Sequence, residues 1–241
     1  MQEPPRSYVL CGTPRTGSTL LCGLLSSTGV LGRPESYFRE PDEVAWAESF
    51  GLATGGGRVR YYRAFVNAAR SAGTSENGVF GARIMWGSLG RMMEGLGRVP
   101  GRPDLPVLEE ALGPLTFVHL RREDIASQAV SWCRAEQTGY WQQDDVAARE
   151  PHQDIAQARL LEEAIREHNA AWRAWFDAQG VEPHTVTYEQ LVGDRRRVVQ
   201  GIAARLAVEL PGDWRPRSPH RKQADGLNRA WADALRASMD R

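Results

Sequence analysis

Gly12-Thr13-Pro14-Arg15-Thr16-Gly17-Ser18-Thr19 has the glycine spacing of a phosphate-binding loop, G-x-x-x-x-G-K-[ST], with Ser18 standing where the lysine belongs. In a nucleoside-triphosphate loop the backbone amides cradle the phosphates. The lysine reaches the β- and γ-phosphates, and the following hydroxyl binds magnesium. Here both glycines and the hydroxyl pair persist, and the cation of the stretch is Arg15, inside the loop. A helix N-terminus with unspent N–H groups still binds an anion. The missing lysine argues against a γ-phosphate held with Mg²⁺, and for a nucleotide with a single 5′-phosphate extended by a less charged group.

A second strand-to-helix junction narrows the choice. Leu115-Thr116-Phe117-Val118-His119-Leu120 reads as a buried strand and runs into Arg121-Arg122-Glu123-Asp124, where a kinase-like protein would place an aspartate for magnesium. An arginine pair there is an anion site, because the guanidinium fork matches phosphate. The helix expected from Ile125, with Asp124 as its N-cap, adds its dipole, and Gln128 and Ser131 lie within its first two turns. Two anion cradles at two such junctions fall along one edge of an open α/β sheet. A nucleotide with phosphates at both the 5′ and 3′ positions would bridge them.

Elements able to hold these groups are spaced along the whole chain. Tyr8–Cys11 reads as a strand and 17–28 as a helix with Leu20, Leu21, Leu24 and Leu25 on one face. Residues 32–57 read as irregular, with a short helical stretch near Val44 to Phe50 and a break at Gly55-Gly56-Gly57. A helix over 58–72 precedes an apolar strand from Val79 to Met85. The proline-rich run 100–106 is expected to be a non-helical connection. A long helix over 153–179, a strand from His184 to Tyr188 and a helix over 190–208 complete the pattern. Strands alternating with helices imply an α/β fold with a P-loop-like parallel sheet flanked by helices. The length suits one domain over residues 1–241.

Thirty basic and thirty acidic residues cancel, so no overall field selects nucleic acid or an anionic membrane. The three cysteines, Cys11, Cys22 and Cys133, have apolar neighbours and no zinc spacing, which suits reduced core thiols. No stretch reaches the length of a membrane span, and Pro4-Pro5 precede only a short strand. A cytoplasmic protein is expected.

Several blocks together resemble a known family. The 5′ loop without lysine, the arginine-ended strand with a downstream serine, and Thr187-Tyr188-Glu189 look like a sulfotransferase using 3′-phosphoadenosine 5′-phosphosulfate (PAPS). Thr13 to Thr19, Gly32-Arg33-Pro34-Glu35-Ser36-Tyr37-Phe38, Gln128-Ala129-Val130-Ser131, Gln137-Thr138-Gly139-Tyr140-Trp141 and Arg221-Lys222-Gln223-Ala224-Asp225 are similar to the bacterial trehalose 2-sulfotransferase group. That group's relatives include lipopolysaccharide and Nod-factor sulfotransferase-like proteins. The blocks run in order over nearly the whole chain. The resemblance implies a sulfotransferase fold, in-line transfer of a sulfuryl group to a hydroxyl of a small, usually sugar-containing acceptor, adenosine 3′,5′-bisphosphate as product, no metal, and a homodimer.

It also implies roles. Pro14, Arg15, Thr16, Gly17, Ser18 and Thr19 would hold the 5′-phosphosulfate, with Arg15 neutralising charge on the transferring group. Arg122, preferred over Arg121 because the family pattern puts the arginine two positions before the aspartate, would hold the 3′-phosphate with Ser131. Tyr188 would neighbour adenine, and Arg221 and Lys222 would belong to a C-terminal loop closing over the nucleotide. For the base, Glu35 is the choice; many relatives carry the glutamate one position later, where this chain has Ser36. His119 and His220 are the alternatives, although a lone histidine in an apolar run is more often a core residue. Each block also has a plainer reading: an ordinary glycine turn, a solvated arginine pair, a loop carboxylate, an exposed Arg221-Lys222. Of the eight tryptophans, Trp172 and Trp175 read as helix packing, whereas Trp132 and Trp141 are candidates for stacking on a sugar ring. A kinase-like phosphotransferase and a catalytically silent nucleotide-binding protein are the competing functions.

Overall fold

Ser7–Gly12 forms β1, buried at every position. Such a strand needs helices on both of its faces. It pairs in parallel with β2 (Phe80–Met85) and with β3 (Leu115–Arg121), and β4 (His184–Thr187) adds to β3, giving the order β2-β1-β3-β4. Gly12 lies opposite both Met85 and Leu120, and Arg121 opposite Thr187, so four strand ends share one edge. The chain goes outward from β1 to β2 and then returns across β1 to β3. The crevice beyond the carboxyl ends of β1 and β3 is therefore the switch point of the sheet, where ligands of open α/β proteins bind.

This computed structural model describes residues 6–52, 58–141, 148–216 and 226–238. Its helices are α1 (Ser18–Ser26), α2 (Glu40–Ser49), α3 (Arg58–Gly73), α4 (Trp86–Gly95), α5 (Asp104–Leu112), α6 (Ile125–Thr138), α7 (Ile155–Gln179), α8 (Tyr188–Gly193), α9 (Arg195–Arg205) and α10 (Gly226–Ala237). Alternation along the strands divides the core. Val9, Cys11, Ala82, Ile84 and Phe117 pack with α3, α4, α5 and α7, where Trp172, Trp175 and Phe176 form an aromatic cluster. Tyr8, Leu10, Val118, Leu120 and Val186 pack with α1 and α9 on the opposite face. A third cluster joins α6 and α7 to α10 through Ala129, Ile165, Trp231 and Leu235.

The strands lie where the sequence puts them to within a residue, and Asp124 caps α6 as expected, its carboxylate accepting the Ser127 N–H at 3.0 Å. Three helical readings need correction. Residues 104–112 are helical although Pro103 and Pro106 flank the start, because Pro106 lies in the first turn, where a missing N–H removes no intrahelical bond. The span 190–208 is two helices: α8 starts at Tyr188, immediately after β4, with a capping box between Thr187 and Gln190, and α9 restarts with Asp194 as its cap. The helix at 86–95, which continues directly from β2, and the helix at 226–237 have no counterpart in the sequence reading.

Candidate active site

The loop after β1 is held in shape by the protein. Arg15 and Gly17 both adopt left-handed backbone conformations, with φ of 65° and 83°. At Gly17 a Cβ would lie 2.7 Å from the Tyr188 ring, so both conformation and space require glycine. The buried Thr16 hydroxyl donates to the Thr13 carbonyl at 3.0 Å. The Gln128 amide donates to the Thr13 hydroxyl at 2.8 Å and to the Pro14 carbonyl at 2.7 Å, and the Trp172 indole donates to the Gly12 carbonyl at 3.0 Å. Gln128, placed near the anion by the sequence reading, instead spends its amide N–H groups on this loop. No backbone carbonyl among the described residues accepts the N–H groups of Gly17, Ser18 or Thr19, the start of α1. Such donors at a helix N-terminus, with the helix dipole behind them, favour an anion.

Two arginines bear on the loop, Arg15 from within it and Arg122 from beside it. Arg15 donates from Nε to the Ser131 hydroxyl at 3.1 Å and from Nη1 to the Trp141 carbonyl. Arg122, one residue beyond β3, stacks its guanidinium over the Tyr188 ring, with Cζ 4.6 Å from the ring centroid, and its Nη1 approaches the Arg15 carbonyl at 3.5 Å. The Arg122 Nε is buried without an acceptor among the described residues. A buried N–H of a cation left without a partner costs free energy, and an anion in the crevice would relieve that cost.

A third cation was not anticipated. Arg83, on β2, donates from Nε to the Ser36 hydroxyl at 2.7 Å and from Nη1 to the hydroxyls of Thr19 at 2.8 Å and Ser18 at 3.4 Å. Its backbone N–H donates to the Glu35 carbonyl at 3.0 Å, and Glu35 forms an isolated parallel bridge with Ala82. The 33–38 segment thus lies beside β2, within one arginine's length of α1. Glu35 is exposed while Ser36, Tyr37 and Phe38 are buried. The signal was legible: an arginine inside Phe80-Gly81-Ala82-Arg83-Ile84-Met85 is a charge in an otherwise apolar strand, and such a charge needs partners.

His119 faces the core. It is 2% exposed, its ring packs edge-on to Phe176 with centroids 5.3 Å apart, and its Nε2 has no partner among the described residues. Burial lowers its pKa to about 4, reinforced by the charges of Arg121 and Arg173. A neutral, enclosed imidazole does not serve an acceptor in the crevice. Burial also pushes the Cys22 thiol up to about 12, with the Arg83 charge pulling down and the Glu35 charge pushing up, so both side chains lie within electrostatic reach of α1.

The sequence matches the family model for Stf0 sulphotransferase over residues 7–238. The chain belongs to the Stf0 sulphotransferase family. It is a sulfotransferase, as are two curated relatives that it resembles end to end. A trehalose 2-sulfotransferase of Mycobacterium tuberculosis is 27% identical over 265 residues, covering 100% of this chain and 98% of the relative. A trehalose 2-sulfotransferase of Mycolicibacterium smegmatis matches at the same identity and coverage. The fold is similar to that of the sulfotransferase domain from the Synechococcus PCC 7002 olefin synthase, with a TM-score of 0.54 at 18% identity, covering 98% of this chain and 89% of that domain.

In this Stf0 sulphotransferase the predicted residues Pro14 to Thr19, Arg122, Ser131 and Tyr188 lie together at the carboxyl edge of the sheet, joined by the contacts given above. Glu35 connects to them through Arg83 and Ser36. Arg221, Lys222 and His220 lie outside the described residues. Trp132 packs beside the α6, α7 and α10 cluster, whereas Trp141 is exposed and its carbonyl meets Arg15. No described helix is long and apolar enough to cross a membrane.

Proposed function

We propose that this sulfotransferase takes its sulfuryl group from PAPS and transfers it to a hydroxyl of a small, sugar-containing acceptor. The observation that carries the donor assignment is the convergence of Arg15 and Arg122 from two strand ends, with the Arg122 Nη1 at 3.5 Å from the Arg15 carbonyl and its Nε buried without an acceptor. One anion at the 5′ loop and a second at Arg122 match a nucleotide phosphorylated at both positions. In this reading the amides and hydroxyls of residues 14–19 hold the 5′-phosphate, and Arg15 offsets charge on the transferring group. Arg122 and Ser131 hold the 3′-phosphate, and the Tyr188 ring, in contact with both Gly17 and Arg122, neighbours the adenine. Arg221 and Lys222 complete the nucleotide site. No resident metal is required.

Transfer would proceed by in-line displacement. The acceptor oxygen forms a bond to sulfur as the bond from sulfur to the 5′-phosphate oxygen breaks. The acceptor proton passes to Glu35, and adenosine 3′,5′-bisphosphate leaves. Preorganised cations favour this step because they already face the oxygen on which negative charge develops. The named relatives support a sugar acceptor, since both are trehalose 2-sulfotransferases. A single domain over 1–241, a homodimer and a cytoplasmic location belong to the same reading.

The test is a mass-spectrometric assay with PAPS and a panel of disaccharides, glycolipids and hydroxylated metabolites. The expected result is a sulfated sugar and an equal amount of adenosine 3′,5′-bisphosphate. Tight binding of the bisphosphate with no sulfated product anywhere in the panel would contradict the proposed transfer.

A further inference from the structure

We propose that Arg83 is a positioning residue that couples occupancy of the 5′ loop to the placement of the Glu35–Ser36 segment; this rests on the donor site proposed above. Four contacts of one residue carry the inference. Its backbone N–H holds the Glu35 carbonyl at 3.0 Å and its Nε holds the Ser36 hydroxyl at 2.7 Å, so it grips two successive residues of the segment. Its Nη1 reaches the hydroxyls of Thr19 at 2.8 Å and Ser18 at 3.4 Å, at the start of α1. A planar guanidinium holds these directions fixed relative to one another, which a lysine ammonium cannot.

The contacts to α1 also set proton direction. Arg83 has no lone pair to offer, so the Ser18 and Thr19 hydroxyls must act as acceptors toward it. Each hydroxyl has one proton, and accepting from Arg83 leaves that proton to donate to an anion in the loop. Thr19 occupies the position whose hydroxyl ligates magnesium in a nucleoside-triphosphate loop. Here a lone pair of that oxygen is taken by a fixed cation. The same guanidinium therefore prepares the donor site and holds the segment that carries Glu35. Ordering of Ser18 and Thr19 by a bound 5′-phosphate tightens Arg83, and through it Ser36. Its Nη2 makes no hydrogen bond among the described residues, so the fork keeps a donor pair to spare.

Hydrogen–deuterium exchange on the full chain tests this, with Arg83→Gln and, in case that variant folds poorly, Ser36→Ala, which removes only the hydroxyl end. Without ligand, each variant should speed exchange in peptides covering 33–38 by about 10-fold or more relative to wild type, and the double variant should add little to either. Adenosine 3′,5′-bisphosphate should slow exchange at both 13–20 and 33–38 in wild type, but only at 13–20 in Ser36→Ala. Unchanged exchange at 33–38 in both ligand-free variants, or full nucleotide protection of 33–38 in Ser36→Ala, would overturn the coupling. Absence of protection at 13–20 in wild type would instead overturn the donor site, and the ligand-free arm would still decide whether Arg83 holds the segment.

Discussion

The guanidinium of Arg122 lies over the ring of Tyr188, Cζ 4.6 Å from the centroid, and the Cδ2 atom of the same ring abuts Gly17, where an added Cβ would come within 2.7 Å of it. Three strand-end junctions meet in this stack: the loop after β1, the residue after β3 and the first residue of α8 after β4. A change at any one of the three should be felt at the other two.

Gly17→Ala is the sharpest probe of that stack. It would put a side chain at φ 83° and into the Tyr188 ring. A cost of about 1–3 kcal/mol in stability is expected from the backbone conformation, with loss of adenosine 3′,5′-bisphosphate binding because the loop amides are displaced. Chemical denaturation and calorimetry measure the two effects. Nucleotide binding at the wild-type level would show that the loop tolerates a side chain there.

Arg122→Ala should distinguish the two phosphates. Losing a charge-assisted contact is worth about 1.5–3 kcal/mol. Affinity for adenosine 3′,5′-bisphosphate should therefore fall by roughly 10- to 150-fold, whereas AMP, which lacks the 3′-phosphate, should lose much less. Equal losses for both nucleotides would remove Arg122 from the 3′-phosphate site.

Glu35→Gln keeps the shape of the side chain and removes the proton acceptor. Donor affinity should survive, and the transfer rate on a verified acceptor should fall by about 10²- to 10⁴-fold. Near wild-type turnover would take Glu35 out of the mechanism. His220 would then be the histidine to test, since His119 is enclosed in the core.

His119 should make the fold sensitive to acid. Its folded pKa of about 4 is below the ordinary 6.5, so the unfolded chain binds its proton first. The contribution is fully present above about pH 6.5 and is lost as pH falls toward 4, on the order of 3 kcal/mol in all at 1.36 kcal/mol per pH unit. Urea denaturation across pH 4–7 should show a steeper slope for wild type than for His119→Leu, which cannot titrate. Equal slopes would mean that the imidazole is not held neutral by its surroundings.

Local pattern revealed most of the β1–α1 and β3–α6 junctions and less of the 33–38 segment. β1 and α1 were legible because an apolar strand, a glycine-spaced loop and leucines at helical spacing agree with one another. Asp124 announced α6 by the same local chemistry. The 33–38 segment was harder, because its placement depends on a bridge to Ala82 and on Arg83, which is 47 residues from Ser36. Nothing within 33–38 encodes that pairing. The break between α8 and α9 followed a readable Gly193-Asp194 cap, whereas α5 was hidden by prolines whose harm depends on their position in the first turn.

A nucleotide panel measured by thermal unfolding separates the proposed metal-free 3′,5′-bisphosphate site from a magnesium–triphosphate site. At a hundred times its dissociation constant a ligand stabilises by about 2.7 kcal/mol, which for a chain of this size is a rise in Tm of roughly 5–10 °C. Adenosine 3′,5′-bisphosphate should produce that rise without Mg²⁺, AMP should produce less, and ATP should do no better than the bisphosphate with or without Mg²⁺. A larger stabilisation by Mg-ATP would rule out PAPS as the proposed donor.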